Sequence, residues 1–282
     1  MDILLGETTT VNDKAMVYGP GSVAFDDPAE LYHEASAFYR SRLAVQMAGA
    51  FALQTNPQLL ISATRATKRY PHVESVELPA PAPATATLAE SVSRRRSHLR
   101  FAGGSVSLAA LSTLLQTGYG VTGKIGLTSG HDQCFRSAPS PGALYPLEVY
   151  VESFAIDGLQ PGLYHYDPLA HGLERVLEGD RRDALAATLP MPEPVQTCAA
   201  AFVITAMMWR SRFKYGLRGY RFALLEAGHV AQNLLLAAQA LGLGSVPVGG
   251  FFDRELATLL SLDAVNEAPL YVIPFGRPER AP

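Results

Sequence analysis

Two cysteines in 282 residues, Cys134 and Cys198, cannot build a disulfide framework, and neither belongs to a C-x-x-C pair. A reducing, cytoplasmic setting is the expectation. Charge is scarce too: 17% of residues are Asp, Glu, Lys or Arg, against about 25% in a typical chain. Less surface must then stay wet, which points to a large subunit interface. The net charge of -3 and the lack of any recognised binding module argue against a nucleic-acid partner. Long apolar runs are also missing. The longest, 222–243, is interrupted by Glu226, His229, Gln232, Asn233 and Gln239, so no membrane span is expected. The N-terminus carries Asp2 where a signal peptide would carry positive charge, and its apolar run is too short. No dinucleotide fingerprint, Walker A loop or nucleophile elbow occurs. His165 and His171 are too loosely placed to suggest a metal, and no metal site is expected.

What is present reads as an α+β chain. Residues 1–76 look like a separate, mainly helical region, with PAELYHEASAFYRSRLAVQMAGAFAL helical from Pro28. Alternating Pro and Ala over 77–87 predict a stiff extended linker. A second domain then spans 88–282. Within it, 88–97 and 107–120 read as helices, the second with Ser107 as N-cap. Residues 121–137 are rich in Gly, Thr and Ser and read as loop. Strands are expected at 145–153, 161–168, 198–208 and 269–276. Residues 221–244 form the strongest helix, apolar on almost every side, so it should be buried. Its stripe of Glu226, His229 and Asn233 then needs a polar ligand or another subunit to face it. Residues 253–262 read as a further short helix.

Three stretches invite a functional reading. RRRSHLRF (94–101) is either a solvated basic helix end or an anion site built from guanidinium forks. RSAPSPGALYPLEVYV (136–151) and GLGSVPVGGFF (242–252) are Pro- and Gly-broken loops that would let a flat ligand approach the backbone. RSRFKYGLRGYRF (210–222) gathers five cations and four aromatic residues around two glycines, in a segment read as a turn after a buried strand.

Taken in order, RRS-x-x-RF, APS-x-GALYPLEVY, FKYG-x-RGYRF, EAGH-x-AQNLLLAA-x-ALGLGS-x-PVGGF and IPFGRP resemble the flavin-dependent nitroreductase superfamily. More closely, they resemble its SagB-type branch, the azoline dehydrogenases of thiazole/oxazole-forming peptide biosynthesis. The resemblance covers about residues 88–280. It implies a nitroreductase-like fold, a mixed and mainly antiparallel sheet flanked by helices, with FMN held at a homodimer interface. By position, Arg95 and Ser97, with Arg96 adjacent, would hold the phosphate and ribityl end. Arg277 would add a second phosphate contact, with Arg280 a further candidate. Pro139, Ser140 and Gly142 would line the isoalloxazine. Val248, Gly249 and Gly250 match the segment whose backbone meets flavin N5, and Gln232 and Asn233 lie on the helix behind the ring. Many relatives carry a cation where this chain has Leu99, so Arg100 is the substitute if the loop twists there.

The resemblance also implies that Lys214 and Tyr215 are the catalytic pair. Turning an azoline into an azole sends a hydride to flavin and a proton to a base. An unperturbed tyrosine, with a pKa near 10, is a poor base at neutral pH. A neighbouring ammonium would favour tyrosinate, while burial could equally make the lysine the neutral base. Both assignments stand at this point. The implied partners are an azoline-containing peptide or carrier-bound substrate and a cyclodehydratase. Two other functions fit the same fold: an NAD(P)H-dependent nitro- or ene-reductase, and a non-catalytic scaffold subunit that docks partners through residues 1–76.

Overall fold

The computed structural model describes residues 27–64, 67–83, 86–126 and 132–279, so Arg280 lies outside the described residues. The chain divides into two compact units, Met1–Ala37 and Phe38–Pro282. In the first, the described part is a helix, α1 (Pro28–Ala35). The Asp27 side chain accepts a hydrogen bond from Ala29 N at 2.8 Å, and Pro28 occupies the first turn, where no backbone donor is needed.

The second unit is built on β-structure. Its strands in chain order are β1 (Ser75–Glu77), β2 (Val106–Ser107), β3 (Val121–Gly126), β4 (Asp132–Arg136), β5 (Leu147–Ser153) and β6 (Ile156–Asp157). There follow β7 (Gly162–Asp167), β8 (Gly172–Glu178), β9 (Ala200–Met207), β10 (Gly244–Ser245) and β11 (Glu267–Gly276). Seven of them form one sheet in the order β1-β8-β7-β5-β9-β11-β10, and every pairing in it is antiparallel. Among the described residues, the one parallel strand pair is β2–β6, apart from the main sheet. Helices of seven residues or more in this unit are α2 (Ala48–Thr55), α3 (Pro57–Thr64), α4 (Leu88–Arg94), α5 (Leu108–Tyr119), α6 (Trp209–Tyr215), α7 (Arg218–Ala240) and α8 (Asp253–Leu259).

β9, AAFVITAM, reads as a near-continuous apolar run because both faces of the sheet are covered there. Every residue of β5 and β7 is buried. With side chains alternating at a period of two, Ala200, Phe202, Ile204 and Ala206 of β9 join one core, while Ala201 and Val203 join the other. Phe202 stacks on Phe275 of β11 with ring centroids 4.6 Å apart. Truncating Phe202 to Ala should cost about 3–5 kcal/mol. Helices α5 and α7 cover the first face through Leu111, Leu114, Val230 and Leu234. Local signals set their ends. Thr87 and Glu90 form a reciprocal capping box before α4, and the Ser107 hydroxyl accepts from Ala110 N before α5, as the sequence predicts.

Two expectations are corrected. Residues 121–137 hold a β-hairpin, β3–β4, rather than a loop. β3 is largely exposed, so no buried face imposes the alternation that would mark it as a strand. The stretch read as a turn after β9 is instead a helix, α6, which precedes α7 with two residues between. Of its two glycines, Gly216 (φ +55°) allows the turn. Gly219 does not: it sits inside α7, where a Cβ would lie 2.7 Å from Arg212 N, so it is a close-packing position.

The linker-like stretch is tied to α5. Ser112 Oγ donates to Pro79 O at 2.5 Å, and Ala82 N donates to Thr113 Oγ1 at 3.0 Å. Upstream, Lys68 enters a buried polar network on the sheet. Its ammonium bonds Glu267 Oε2 at 2.7 Å and Tyr150 OH at 2.8 Å, and its backbone N–H donates to Glu148 Oε1 at 3.0 Å.

Candidate active site

Gly142 ends a Pro-Ser-Pro loop in the left-handed region, at φ +67°. A Cβ built there would lie 2.5 Å from Lys214 Nζ and 2.6 Å from Tyr215 OH. The heads of two adjacent residues on α6 thus converge on a position where only a residue without a side chain fits. Lys214 Nζ also stands 5.1 Å from the centre of the Tyr215 ring, and that ring meets Phe222 edge-on at 5.0 Å. The pair and the loop predicted to line a flavin ring are therefore brought together, although 72 residues separate Gly142 from Lys214 in the chain.

The loop is held from behind. Tyr145 N donates to Ser140 Oγ at 2.9 Å, and Arg136 N donates to Tyr145 OH at 3.0 Å. The Arg136 guanidinium lies over the rings of Tyr119 and Tyr145, at 4.3 and 4.7 Å. Tyr119 OH donates to Glu226 Oε1 at 2.7 Å. Glu226 is buried within α7, and burial raises its pKa to about 7, against the opposing hydroxyls of Ser140 and Tyr119 and the charge of Arg136. Sequence reading placed Glu226 in a polar stripe but not in the site. A lone carboxylate in an apolar helix was the available signal. Of the same stripe, His229 is exposed and Asn233 half-buried. Tyr119, Arg136 and Tyr145 gave no such signal, because each becomes a site-supporting residue only through contacts across the fold.

A second buried group lies beside α6. Arg210 pairs with Glu148, and Glu148 Oε2 and Glu174 Oε2 each lie 2.8 Å from a ring nitrogen of His165. Burial pushes Glu148 upward, but His165 and Arg210 outweigh it and hold the carboxyl down at about 2. Burial depresses His165, yet its two carboxylates raise it overall. The group is structural: it fixes the start of α6 to the sheet.

The basic residues form a different set. Ser97 bridges Ser245 in parallel, and His98 N donates to Ser245 O at 3.1 Å. Ala102 N donates to Arg277 O at 2.9 Å, and Phe101 pairs with Pro278. Arg95, Arg96, Ser97, Arg100 and Arg277 are thereby gathered at one edge of the sheet, next to β10. Among the described residues, no carboxylate pairs with Arg95, Arg100 or Arg277. Gly104 (φ +80°) lies beside the Arg277 guanidinium and would meet it with a Cβ only at 3.9 Å. Arg96 turns back onto the carbonyls of Ser93 and Arg95. Val248 is fixed to Val272 by two backbone hydrogen bonds, at 2.8 and 3.0 Å. Gly249 and Gly250 follow with exposed backbone. Gln232 is exposed on the middle of α7. Leu99 and Arg100 are both exposed. Unpaired cations and an open glycine backbone suit a flat ligand with an anionic tail.

The two sets are not in one place. The Gly142 set lies near Glu226, and the basic set follows the C-terminal end of α7. Glu226 and Ala240 are roughly 21 Å apart along that helix at 1.5 Å per residue.

Among the described residues no group of three His, Cys, Asp or Glu side chains is arranged to hold a metal ion, and no helix is long and apolar enough to cross a membrane.

The sequence profile of the nitroreductase family matches residues 92–277. A Methanocaldococcus jannaschii protein named for that family is 34% identical over 204 residues, which is 72% of this chain and 98% of its own. The microcin B17-processing protein McbC of Escherichia coli is 35% identical over 146 residues, 50% of this chain and 54% of McbC, so the match spans about half of that relative. A crystal structure of an Anabaena variabilis protein named for the family has a TM-score of 0.69 at 27% identity, over 88% of this chain and 45% of that one. The Escherichia coli microcin synthetase McbBCD complex, with truncated pro-MccB17 bound, gives 0.55 at 26% identity, over 89% of this chain and 98% of that one. This chain belongs to the nitroreductase family.

Proposed function

We propose that this protein is an FMN-dependent oxidase that converts thiazoline or oxazoline rings of a peptide or carrier-bound precursor to thiazoles or oxazoles. The observation that carries the reading is the convergence of Lys214 Nζ and Tyr215 OH on Gly142. A reductase of this fold needs no base beside the ring-lining loop, whereas aromatising an azoline does. The names of two similar proteins support the substrate class: McbC processes microcin B17, and the McbBCD structure holds a microcin precursor. By the same likeness, a cyclodehydratase is the proposed partner.

FMN is the family's cofactor, and the residues present fit it. Arg95, Ser97 and Arg277 would hold the phosphate end, Val248–Gly250 would present backbone to the ring, and Pro139–Gly142 would line it. When bound, FMN supplies the two-electron acceptor for the ring's hydride. The remaining work falls to the chain. Lys214 and Tyr215, side by side, take the proton from the neighbouring ring carbon. Glu226 and Tyr119 keep the Ser140–Gly142 loop under the pair.

A homodimer is part of the proposal. The two residue sets lie toward opposite ends of α7, and that helix exposes Leu224 and Leu225, the latter at 61%. Isolated exposed leucines need no explanation, but two adjacent on a helix between half-sites suit an interface. A second copy packed along α7 would bring the basic set of one chain to the Gly142 set of the other.

The test is a flavin-loaded preparation given a thiazoline peptide. Lys214→Ala and Tyr215→Phe should keep the flavin absorption bands and lose azole formation by 100-fold or more. Undiminished oxidation in both variants would remove the assignment. Rapid bleaching of the wild-type flavin by NADPH, without azoline oxidation, would favour a reductase instead.

A further inference from the structure

Two cavities lie along α6; the flavin reading uses Gly142 and Lys214 at the rim of one and leaves the rest of both unassigned. The inner one, of about 230 Å³, lies between helices α2 and α3 and the Gly142 loop. Lys214 and Gly142 form one side of it. Leu53, Leu60, Ala63 and Leu144 supply its apolar wall. The outer one, of about 410 Å³, shares Ala63 and Leu144 with the inner and continues past Trp209 and Phe213. Helix α2 is seated directly on α6: a Cβ on Gly49 would collide with the Phe213 carbonyl and lie 2.8 Å from Lys214 Cα. The wall is thus fixed to the residue that bears the ammonium.

We propose that the inner recess is the subsite for an uncharged alkyl or aryl side chain next to the reacting ring, and that the outer cleft carries the adjoining peptide. The proposal rests on the oxidase reading above and deepens it by naming what flanks the ring. Size supports it. At about 230 Å³ the recess is below the range of roughly 300–1,000 Å³ typical of whole-ligand sites, so it suits one side chain. Charge supports it as well. Among the described residues, no carboxylate lines either cavity, and the cations that do are Lys214 and Arg210, the second already paired with Glu148. A cationic side chain there would lose its water beside an ammonium and gain no partner.

Trp209 makes this testable, since it is the chain's one tryptophan and lines the outer cleft. Its emission would be followed while the flavin-loaded full chain is titrated with thiazoline tripeptides bearing Leu, Lys or Glu beside the ring. The Leu peptide should change the emission saturably, with a Kd at least ten-fold below that of the Lys peptide, while the Glu peptide tests whether the Lys214 ammonium offsets the apolar wall. Ala63→Phe, which fills the recess, should raise the Leu-peptide Kd at least ten-fold with flavin absorbance unchanged. Leu60→Ala, on a half-exposed position, should shift preference from Leu toward Phe. An emission that ignores saturating Leu peptide, or equal binding of all three peptides, overturns the subsite. So does a Kd that neither variant moves. The two readings separate cleanly. Selective binding without oxidation sinks the oxidase and sustains the subsite; oxidation without side-chain discrimination does the reverse.

Discussion

The ammonium of Lys214 stands 2.5 Å from the point at which a Cβ would project from Gly142. Any side chain on that glycine would displace the amine, and the phenol of Tyr215 beside it. Gly142→Ala also places a Cβ in the left-handed region, at about 1–2 kcal/mol. We expect a folded protein that has lost 100-fold or more of its turnover, since small displacements of reacting groups have effects of that size. Steady-state kinetics alongside circular dichroism would check it, and unchanged kcat would show that the pair does not act at this position.

Arg95 and Arg277 bring positive charge to the sheet edge with no carboxylate partner among the described residues. Replacing either with Ala should weaken FMN binding by roughly 10- to 100-fold, the scale of a charge-assisted hydrogen bond of about 1.5–3 kcal/mol. Flavin fluorescence quenching measures this directly. The loss should shrink at high salt, because added ions screen the wild-type contact more than the variant's.

Glu226 carries a folded-state pKa near 7, raised from an ordinary carboxyl value of 4.5 by burial. Between those pH values the folded chain holds a proton that the unfolded chain has released. Its contribution to stability therefore declines as pH rises from about 4.5 to 7, by at most about 3 kcal/mol. Glu226→Gln should flatten that decline, read as the urea midpoint against pH. Glu152, raised to about 7 for the same reason, leaves a residual slope. Tyr119→Phe removes the donor to Glu226 and should cost about 1–3 kcal/mol.

Glu267 gathers Lys68, Tyr150 and Thr205 within 2.6–2.9 Å. Glu267→Ala leaves the Lys68 ammonium part-buried without its counter-charge. Broken buried pairs cost about 3–5 kcal/mol, and the quarter exposure of Lys68 puts this one at the lower end. Thermal unfolding should show the loss, with residues 67–70 the first to gain hydrogen exchange.

If a second copy completes the site, charge at the α7 face should separate the copies. Leu225→Lys should give a monomer by light scattering, with weakened FMN binding but an intact far-ultraviolet spectrum. A variant that stays dimeric and fully flavinylated would place the interface elsewhere.

The strands β5, β7, β9 and β11 and the helices α5 and α7 were legible because burial marks the sequence, as alternation in β5 and as a near-continuous apolar run in β9 and α7. Five ordered blocks identified the family for a related reason: each surrounds a backbone or side-chain position that tolerates few residues, as Gly142 shows. The β3–β4 hairpin was not legible, since exposed two-stranded ribbon leaves no such mark. Helix α6 was misread for another reason. Its cations and rings resemble a loop locally, and it is the anchoring of Arg210 to Glu148 and of α2 to Phe213 that holds it in place.

By itself, then, the sequence determined the buried elements, the fold and the chemical types at the site: an amine beside a phenol, a glycine loop, a row of arginines. The tertiary structure alone decided which of them meet. Lys214 meets Gly142, and Glu226 meets Tyr119 across 107 residues of chain, because sheet register and helix packing bring distant segments together. Local preference carries no information about such distances.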